Sequence, residues 1–138
     1  MNPTPRPAEG VVSWNITTSC NLACSYCTQR HKADRGRPPR PAEGFLAGFA
    51  RLPGRWEIKM SGGEPFQHPE LDAITAGIAR LGHRISVVTN FTATRRRLET
   101  FVGAAAGRIG IVSCSLHLEH VQSEPELAEF IGRARWLA

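Results

Sequence analysis

Apolar residues fall into short β-type runs that alternate with segments of helical spacing. Four runs are rich in β-branched and other apolar residues, at positions 11–16, 55–60, 84–89 and 108–116. Each run is followed by a segment whose apolar residues recur at helical spacing, at positions 45–52, 71–81, 94–106 and 127–137. A strand followed by a helix, four times over, predicts βαβ units with right-handed crossovers and one parallel sheet.

Local signals place several helix ends. Pro41 and Pro69 suit the first positions of the first two helices, and Gly82 ends the second. Residues 123–126 (SEPE) resemble a capping box ahead of the last helix. These signals agree with the hydrophobic pattern, so we predict an α/β chain without an internal linker.

Composition sets the class of protein. The 138 residues are 41% hydrophobic and 21% charged, which is typical of one globular domain. No apolar run approaches the roughly 20 residues of a membrane helix, and residues 1–10 are Pro-rich without the apolar core of a secretory signal. We therefore predict a cytoplasmic protein with no membrane partner and a disordered tail over 1–10. The net charge of +5 favours an anionic partner only weakly, and we expect no nucleic acid.

Three of the four cysteines lie close together, at Cys20, Cys24 and Cys27. Clustered thiols in a chain without a secretory signal indicate metal or redox chemistry more than disulfides. Thiolates favour zinc, copper(I) or iron–sulfur clusters. His31 would complete a Cys3His zinc site, whereas three cysteines on a four-iron cluster would leave one iron open to another ligand. Cys114 lies in the middle of the fourth strand, and we expect it to be a buried, inert thiol.

A second unusual segment follows the second predicted strand. Residues 61–65 (SGGEP) form a turn there, just as the cysteines follow the first strand. The carboxyl ends of parallel strands meet at one edge of the sheet, which is where such folds carry their chemistry. We therefore expect both segments to lie together, with His117 and His120 nearby after the fourth strand.

Both segments resemble the motifs of one family. Residues 18–27 (TSCNLACSYC) resemble the cluster-binding signature of the radical S-adenosylmethionine (radical SAM) enzymes. In that signature three cysteines are separated by three and then two residues, and an aromatic residue precedes the last. Residues 61–65 resemble the same family's second motif, and the two occur in the family's order. The resemblance covers residues 11–138.

The resemblance implies a role for each motif residue. Cys20, Cys24 and Cys27 would bind three irons of a [4Fe–4S] cluster, and the amine and carboxylate of S-adenosylmethionine (SAM) would chelate the fourth. Gly62, Gly63 and Glu64 would hold the methionyl amino group, with Glu64 supplying the acceptor charge.

Other polar residues of the same edge are implied as SAM contacts. Tyr26 would lie near the adenine. The candidates for ribose and carboxylate contacts are Thr89, Asn90, Ser113 and Ser115. Strand alternation puts Ser113 and Ser115 on one side of the sheet.

The implied reaction is reductive. A reduced cluster passes one electron to SAM, and the resulting 5′-deoxyadenosyl radical abstracts hydrogen from a substrate. The implied partners are an electron donor of the flavodoxin or ferredoxin type and a substrate of unknown identity, with a peptide or a cofactor precursor as candidates. The cofactors supply this chemistry, and the protein orients them and excludes water.

The family's usual core is a partial barrel of about six βα units, whereas four are counted here. We therefore predict an incomplete, partial TIM-like radical SAM barrel over 11–138, with a cluster loop at 17–29 and a mobile loop at 30–44. Two alternatives are kept open. The chain is either a truncated, non-catalytic iron–sulfur or zinc-binding module, or half of a split enzyme. In the second case another chain or a homodimer would cover the open sheet edge.

Overall fold

The strands lie side by side in the order in which they occur in the sequence. A computed structural model describes residues 8–31 and 37–138. All neighbouring strands pair in parallel, in the order β1-β2-β3-β4. The elements in chain order are β1 (Val11–Thr17), α1 (Ala42–Phe49), β2 (Glu57–Gly62), α2 (Leu71–Arg80), β3 (Arg84–Thr89), α3 (Arg95–Ala105), β4 (Ile109–Cys114) and α4 (Glu124–Leu137). The predicted parallel βα fold is confirmed.

The structure describes only parts of the two segments predicted to lack regular structure. In the tail predicted over 1–10, residues 1–7 lie outside the described residues. The Glu9 N–H already donates to the Arg55 carbonyl at 2.7 Å, ahead of β1. In the loop predicted over 30–44, residues 32–36 lie outside the described residues, and α1 begins at Ala42 after the N-cap Pro41. Helix formation therefore starts within the predicted loop.

One face of the sheet carries the core. Alternate residues of β2 and β3 are fully buried, as are the apolar residues that α2 turns toward them. These buried side chains are Ile58, Met60, Ile85, Val87, Leu71, Ile74 and Ile78. Burial of each such side chain contributes about 1.5–3 kcal/mol. This layer fixes the strands and, with them, the loops at their carboxyl ends.

The opposite face of the sheet is not covered by any helix of the described ranges. Its exposed residues alternate with the buried ones, as the pleat requires. They are Val11, Ser13, Asn15, Lys59, Ile111 and Ser113. A half-open, mostly polar sheet face of this kind is what a partial barrel presents on its inside. Within the described residues, no helix is long and apolar enough to cross a bilayer.

Two buried histidines hold the two ends of α1. The Nε2–H of His68 donates to the carbonyl of Arg40 at 3.2 Å, and its Nδ1 accepts from the Glu70 N–H. His83 is bonded in the same way, to the carbonyl of Phe49 and the N–H of Trp56. In both rings Nδ1 accepts a backbone N–H and Nε2 donates to a backbone carbonyl at an end of α1.

The last helix is held differently. Ser123 and Glu126 form the predicted capping box, but α4 has no fully buried side chain. Phe130 packs edge-on against Phe91 at 5.3 Å, and the Arg95 guanidinium lies 4.9 Å from the ring centroid of Trp136. These contacts tie α4 to the segment after β3 and to the first residue of α3.

The end of β2 lies against the backbone that follows β1. The Gly63 N–H donates to the Thr17 carbonyl at 2.8 Å, and the Glu64 N–H donates to the Ser19 carbonyl at 2.7 Å. A Cβ at Gly63 would lie 2.1 Å from the Ser19 oxygen, and one at Gly62 would lie 2.3 Å from the Thr17 oxygen. Gly62 also has φ +135°, which side-chain-bearing residues rarely adopt. Only glycines allow this approach.

The close approach of Gly63 to the backbone after β1 predicts opposite effects on stability for two glycine substitutions. Gly63→Ala should lower the free energy of unfolding by about 1–3 kcal/mol, because the added methyl meets backbone that has little room to move. Gly103→Ala is the control, since nothing lies within 4 Å of its added Cβ in α3. It should raise stability by about 0.5–1 kcal/mol through helix propensity. Urea denaturation measures both, and equal effects would contradict the analysis.

The buried ring of His68 predicts a pH dependence. Burial lowers the pKa of His68 below its usual value, against the hydrogen bond to Arg40 and the nearby charge of Glu70. A lowered folded pKa stabilises the protein above about pH 6.5, the unfolded value, and that contribution is lost as the pH falls. Between about pH 7.5 and 5.5, urea denaturation should show a smaller loss of unfolding free energy in His68→Gln than in the wild type. Glutamine keeps a donor and an acceptor but does not titrate. An equal loss in both proteins would refute this role.

Candidate cofactor-binding site

A cleft of about 300 Å³ opens at the carboxyl edge of the sheet. It brings together residues from the loop after β1 and from the ends of β2, β3 and β4. Predicted site residues that line it are Cys20, Cys24, Tyr26, Cys27, Gly62, Gly63, Thr89, Asn90 and Ser115. The expectation that the cysteine loop and the glycine turn lie together therefore agrees with the geometry.

The three thiols have unequal surroundings. Cys24 is buried, whereas Cys20 and Cys27 are partly exposed, and all three are free. The Leu22 N–H donates to the Cys20 sulfur at 3.4 Å, and the Asn90 amide lies 3.9 Å from the same sulfur. Hydrogen bonds to ligand sulfurs are among the features that set the potential of an iron–sulfur cluster.

The three thiols lie on one loop and face one cleft, so they can converge on one metal centre. Thiolates suit both zinc and iron–sulfur clusters. The side chain of His31, the fourth ligand of the zinc alternative, lies outside the described part.

Glu64 does not line the cleft. Its side chain is 1% exposed and accepts three hydrogen bonds, from the Thr89 hydroxyl at 2.7 Å, the Asn90 N–H at 2.6 Å and the Phe66 N–H at 3.1 Å. Burial raises the pKa of this carboxyl, and the three hydrogen bonds oppose the rise. Glu64 therefore joins the end of β2 to the end of β3 behind Gly62 and Gly63, and its contact with the SAM amine stays a prediction.

Asn90 connects β3 to the cysteine loop. Its Nδ2 donates to the Asn21 amide oxygen at 2.9 Å, and its Oδ1 accepts from the Thr92 N–H at 3.1 Å. The next residue, Phe91, is fully buried with φ +59°, a left-handed conformation that costs a non-glycine residue about 1 kcal/mol or more. The backbone thus turns sharply where the strand meets the cleft.

Tyr26 and His117 form the outer wall. The Tyr26 hydroxyl lies 2.6 Å from His117 Nδ1, and the two rings stack at 6.0 Å. The same nitrogen lies 3.6 Å from the Cys24 sulfur. Desolvation raises the pKa of the Tyr26 phenol, and the nearby Cys24, Glu119 and Cys27 side chains raise it further. The position of His117 after β4 was the signal that placed it near the site.

Ser113 of β4 and Ser115, directly after it, have different surroundings. Ser115 lines the cleft, and Ser113 lies exposed on the open sheet face, outside the cleft lining. Both occupy the same face, as alternation predicted. Cys114 points to the helix side, where it lines another cavity, and burial raises the pKa of its thiol. It therefore stands apart from the three clustered cysteines.

Sequence reasoning missed several contacts around the cleft. Asn21 donates to the Thr92 hydroxyl at 2.8 Å, and the Glu119 carboxylate accepts from the Ser25 N–H at 2.8 Å. Leu22, Thr28, Ser61 and Val88 also line the cleft. No spacing rule marks these residues, because they meet only through pairing of loops that are distant in sequence.

Curated proteins that are similar to this chain in sequence include GTP 3′,8-cyclases. The chain is 30% identical over 116 residues to the GTP 3′,8-cyclase of Stenotrophomonas maltophilia K279a, covering 80% of this chain and 34% of that protein. It is 32% identical over 118 residues to GTP 3′,8-cyclase 2 of Mycobacterium bovis, covering 77% and 31% respectively. The chain thus spans about a third of the length of these relatives.

Solved structures share the fold. SuiB of Streptococcus suis bound to S-adenosylmethionine matches with a TM-score of 0.56 and 21% identity, over 77% of this chain and 24% of that one. SuiB bound to the precursor peptide SuiA matches with a TM-score of 0.55 and 22% identity over the same shares. At this identity the match shows the partial α/β barrel alone.

The family model of the Radical SAM superfamily matches residues 14–136, which is nearly all of the chain. The matched range contains the three cysteines, the glycine turn and the ends of all four strands. The chain therefore belongs to the radical SAM superfamily, whose members use a [4Fe–4S] cluster and S-adenosylmethionine.

Proposed function

We propose that this chain binds a [4Fe–4S] cluster through Cys20, Cys24 and Cys27, binds SAM beside it, and is the cofactor-binding part of a radical SAM enzyme. The observation that carries the proposal is the convergence of these three thiols with the Gly62–Gly63 backbone in one cleft. When bound, the cluster and SAM supply reductive cleavage of SAM to a 5′-deoxyadenosyl radical that abstracts hydrogen from a substrate. An electron donor of the flavodoxin or ferredoxin type would supply the electron.

The chain's own residues orient the cofactors and limit access to water. The bare backbone of Gly62 and Gly63 gives the methionyl end of SAM a wall without side chains. Glu64 sets the position of that wall and places a carboxylate behind it. The stacked Tyr26 and His117 rings shield one side of the cleft.

The open sheet face is the proposed approach for the substrate. It is continuous in register with the cleft, because Ser61 and Ser115 line the cleft and Lys59 and Ser113 lie two residues earlier on the same face. This polar surface with an exposed ammonium supports a polar, anionic substrate. The GTP 3′,8-cyclase relatives support a nucleotide, while the likeness to SuiB with its precursor peptide supports a peptide as the second candidate.

The cysteines predict the outcome of cluster assembly. Anaerobic reconstitution of the wild type should give about four irons per chain and broad visible absorption. Cys20→Ala, Cys24→Ala or Cys27→Ala should each lose most of that iron, because each removes the ligand of one iron. Cys114→Ala is the matched control and should load fully, since its thiol lies on the other side of the sheet. Equal iron loss in Cys114→Ala would contradict the assigned ligands.

The hydrogen bonds of Glu64 predict that its substitution weakens SAM binding without loss of the cluster. Glu64→Gln should keep the cluster but weaken SAM binding about tenfold, or about 1.4 kcal/mol, because the amide turns an N–H toward one of the donors that the carboxylate now accepts from. Glu57→Gln is the control, since Glu57 accepts from Ser86 outside the cleft. Equilibrium dialysis of the reconstituted variants measures SAM affinity. An unchanged SAM affinity in Glu64→Gln would show that Glu64 has no role in SAM binding.

A further inference from the structure

A second group of metal-type ligands lies beside the cysteine loop. The Cys24 sulfur, a carboxylate oxygen of Glu119 and a ring nitrogen of His120 all lie within 4.8 Å of one another. Thiolate, carboxylate and imidazole are the three ligand types that zinc takes from proteins. Neither Glu119 nor His120 belongs to the motifs that place the iron–sulfur cluster.

The turn after β4 brings these ligands to Cys24. Its backbone is folded by the His120 N–H, which donates to the His117 carbonyl at 2.9 Å. The His117 ring then reaches the Cys24 sulfur at 3.6 Å, and the Ser25 N–H donates to Glu119 Oε2 at 2.8 Å. The last bond orients the carboxylate, which is how outer contacts prepare a metal ligand.

One atom of the group has an unmet bonding requirement. The Nε2 atom of His120 is buried and has no hydrogen-bond partner among the described residues. Buried polar atoms are nearly always bonded, so an imidazole that has one unbonded buried nitrogen and lies beside a thiol and a carboxylate indicates a missing partner. A divalent cation coordinated by the ring would supply one.

We propose that Cys24, Glu119 and His120 form a mononuclear site for zinc or a similar thiophilic divalent cation. Binding displaces the thiol proton to solvent and leaves a fourth coordination position open, with three protein ligands in place. The site shares Cys24 with the iron–sulfur cluster, so occupancy by zinc excludes cluster assembly. Zinc binding stands on the geometry alone, whereas the competition rests on the proposed function.

Metal titration of the iron-free, thiol-reduced protein tests the site. The wild type should bind one equivalent of Zn²⁺, and Co²⁺ should give the thiolate charge-transfer and d–d bands of a tetrahedral ion. His120→Ala, Glu119→Gln and Cys24→Ser should each weaken zinc binding by at least about tenfold. Cys20→Ser and Cys27→Ser should leave it within about twofold.

Two results would overturn the assignment. One is the absence of stoichiometric Zn²⁺ binding by wild type whose circular dichroism shows it to be folded. The other is loss of zinc in Cys20→Ser or Cys27→Ser equal to that in His120→Ala, which would move the ion to the three cysteines. Glu119→Gln changes an exposed residue of the turn. A loss of zinc binding in this variant would therefore not come from misfolding, even if His120→Ala folds poorly.

The competition has its own readout. Preincubation with one equivalent of Zn²⁺ should slow cluster assembly in the wild type but not in His120→Ala, which should still load about four irons per chain. Equal slowing in both would refute the shared site. Failure of the wild type to load iron while it binds zinc as described would instead refute the proposed function and leave the zinc site standing.

Discussion

The site depends on the approach of two backbones. Where β2 ends, Gly62 and Gly63 lie so close to the carbonyls of Thr17 and Ser19 that no side chain fits between them. Two hydrogen bonds join the segments at 2.7 and 2.8 Å. This contact sets the distance between the cysteine loop and the Gly62–Gly63 wall of the cleft, so the two segments form one rigid unit.

A buried carboxylate extends that unit to the third strand. Glu64 accepts from the Thr89 hydroxyl and the Asn90 N–H, and the Asn90 side chain then returns to Asn21 in the cysteine loop. A buried charge is tolerated only when its lone pairs are bonded, and here three donors serve that purpose. The network therefore closes a ring from β1 through β2 and β3 back to the loop after β1.

The sequence predicted the elements well because the core obeys simple periodicities. The strand at 84–89 agrees with β3, and the SEPE segment caps α4 as expected. The three cysteines and the glycine turn could be placed together because parallel strands share a carboxyl edge. The orientation of Glu64 could not be predicted, since it depends on donors 25 and 26 positions away. For the same reason no pattern indicated that Glu119 would contact the cysteine loop.

The left-handed Phe91 has a consequence for how the two halves of the cleft communicate. Asn90, on one side of this residue, bonds to the cysteine loop, while the Phe91 ring packs against Phe130 of α4. A strained, fully buried residue has few alternative conformations, so Phe91 fixes the position of Asn90 relative to α4. The cysteine loop and α4 are therefore both anchored to the same short segment after β3.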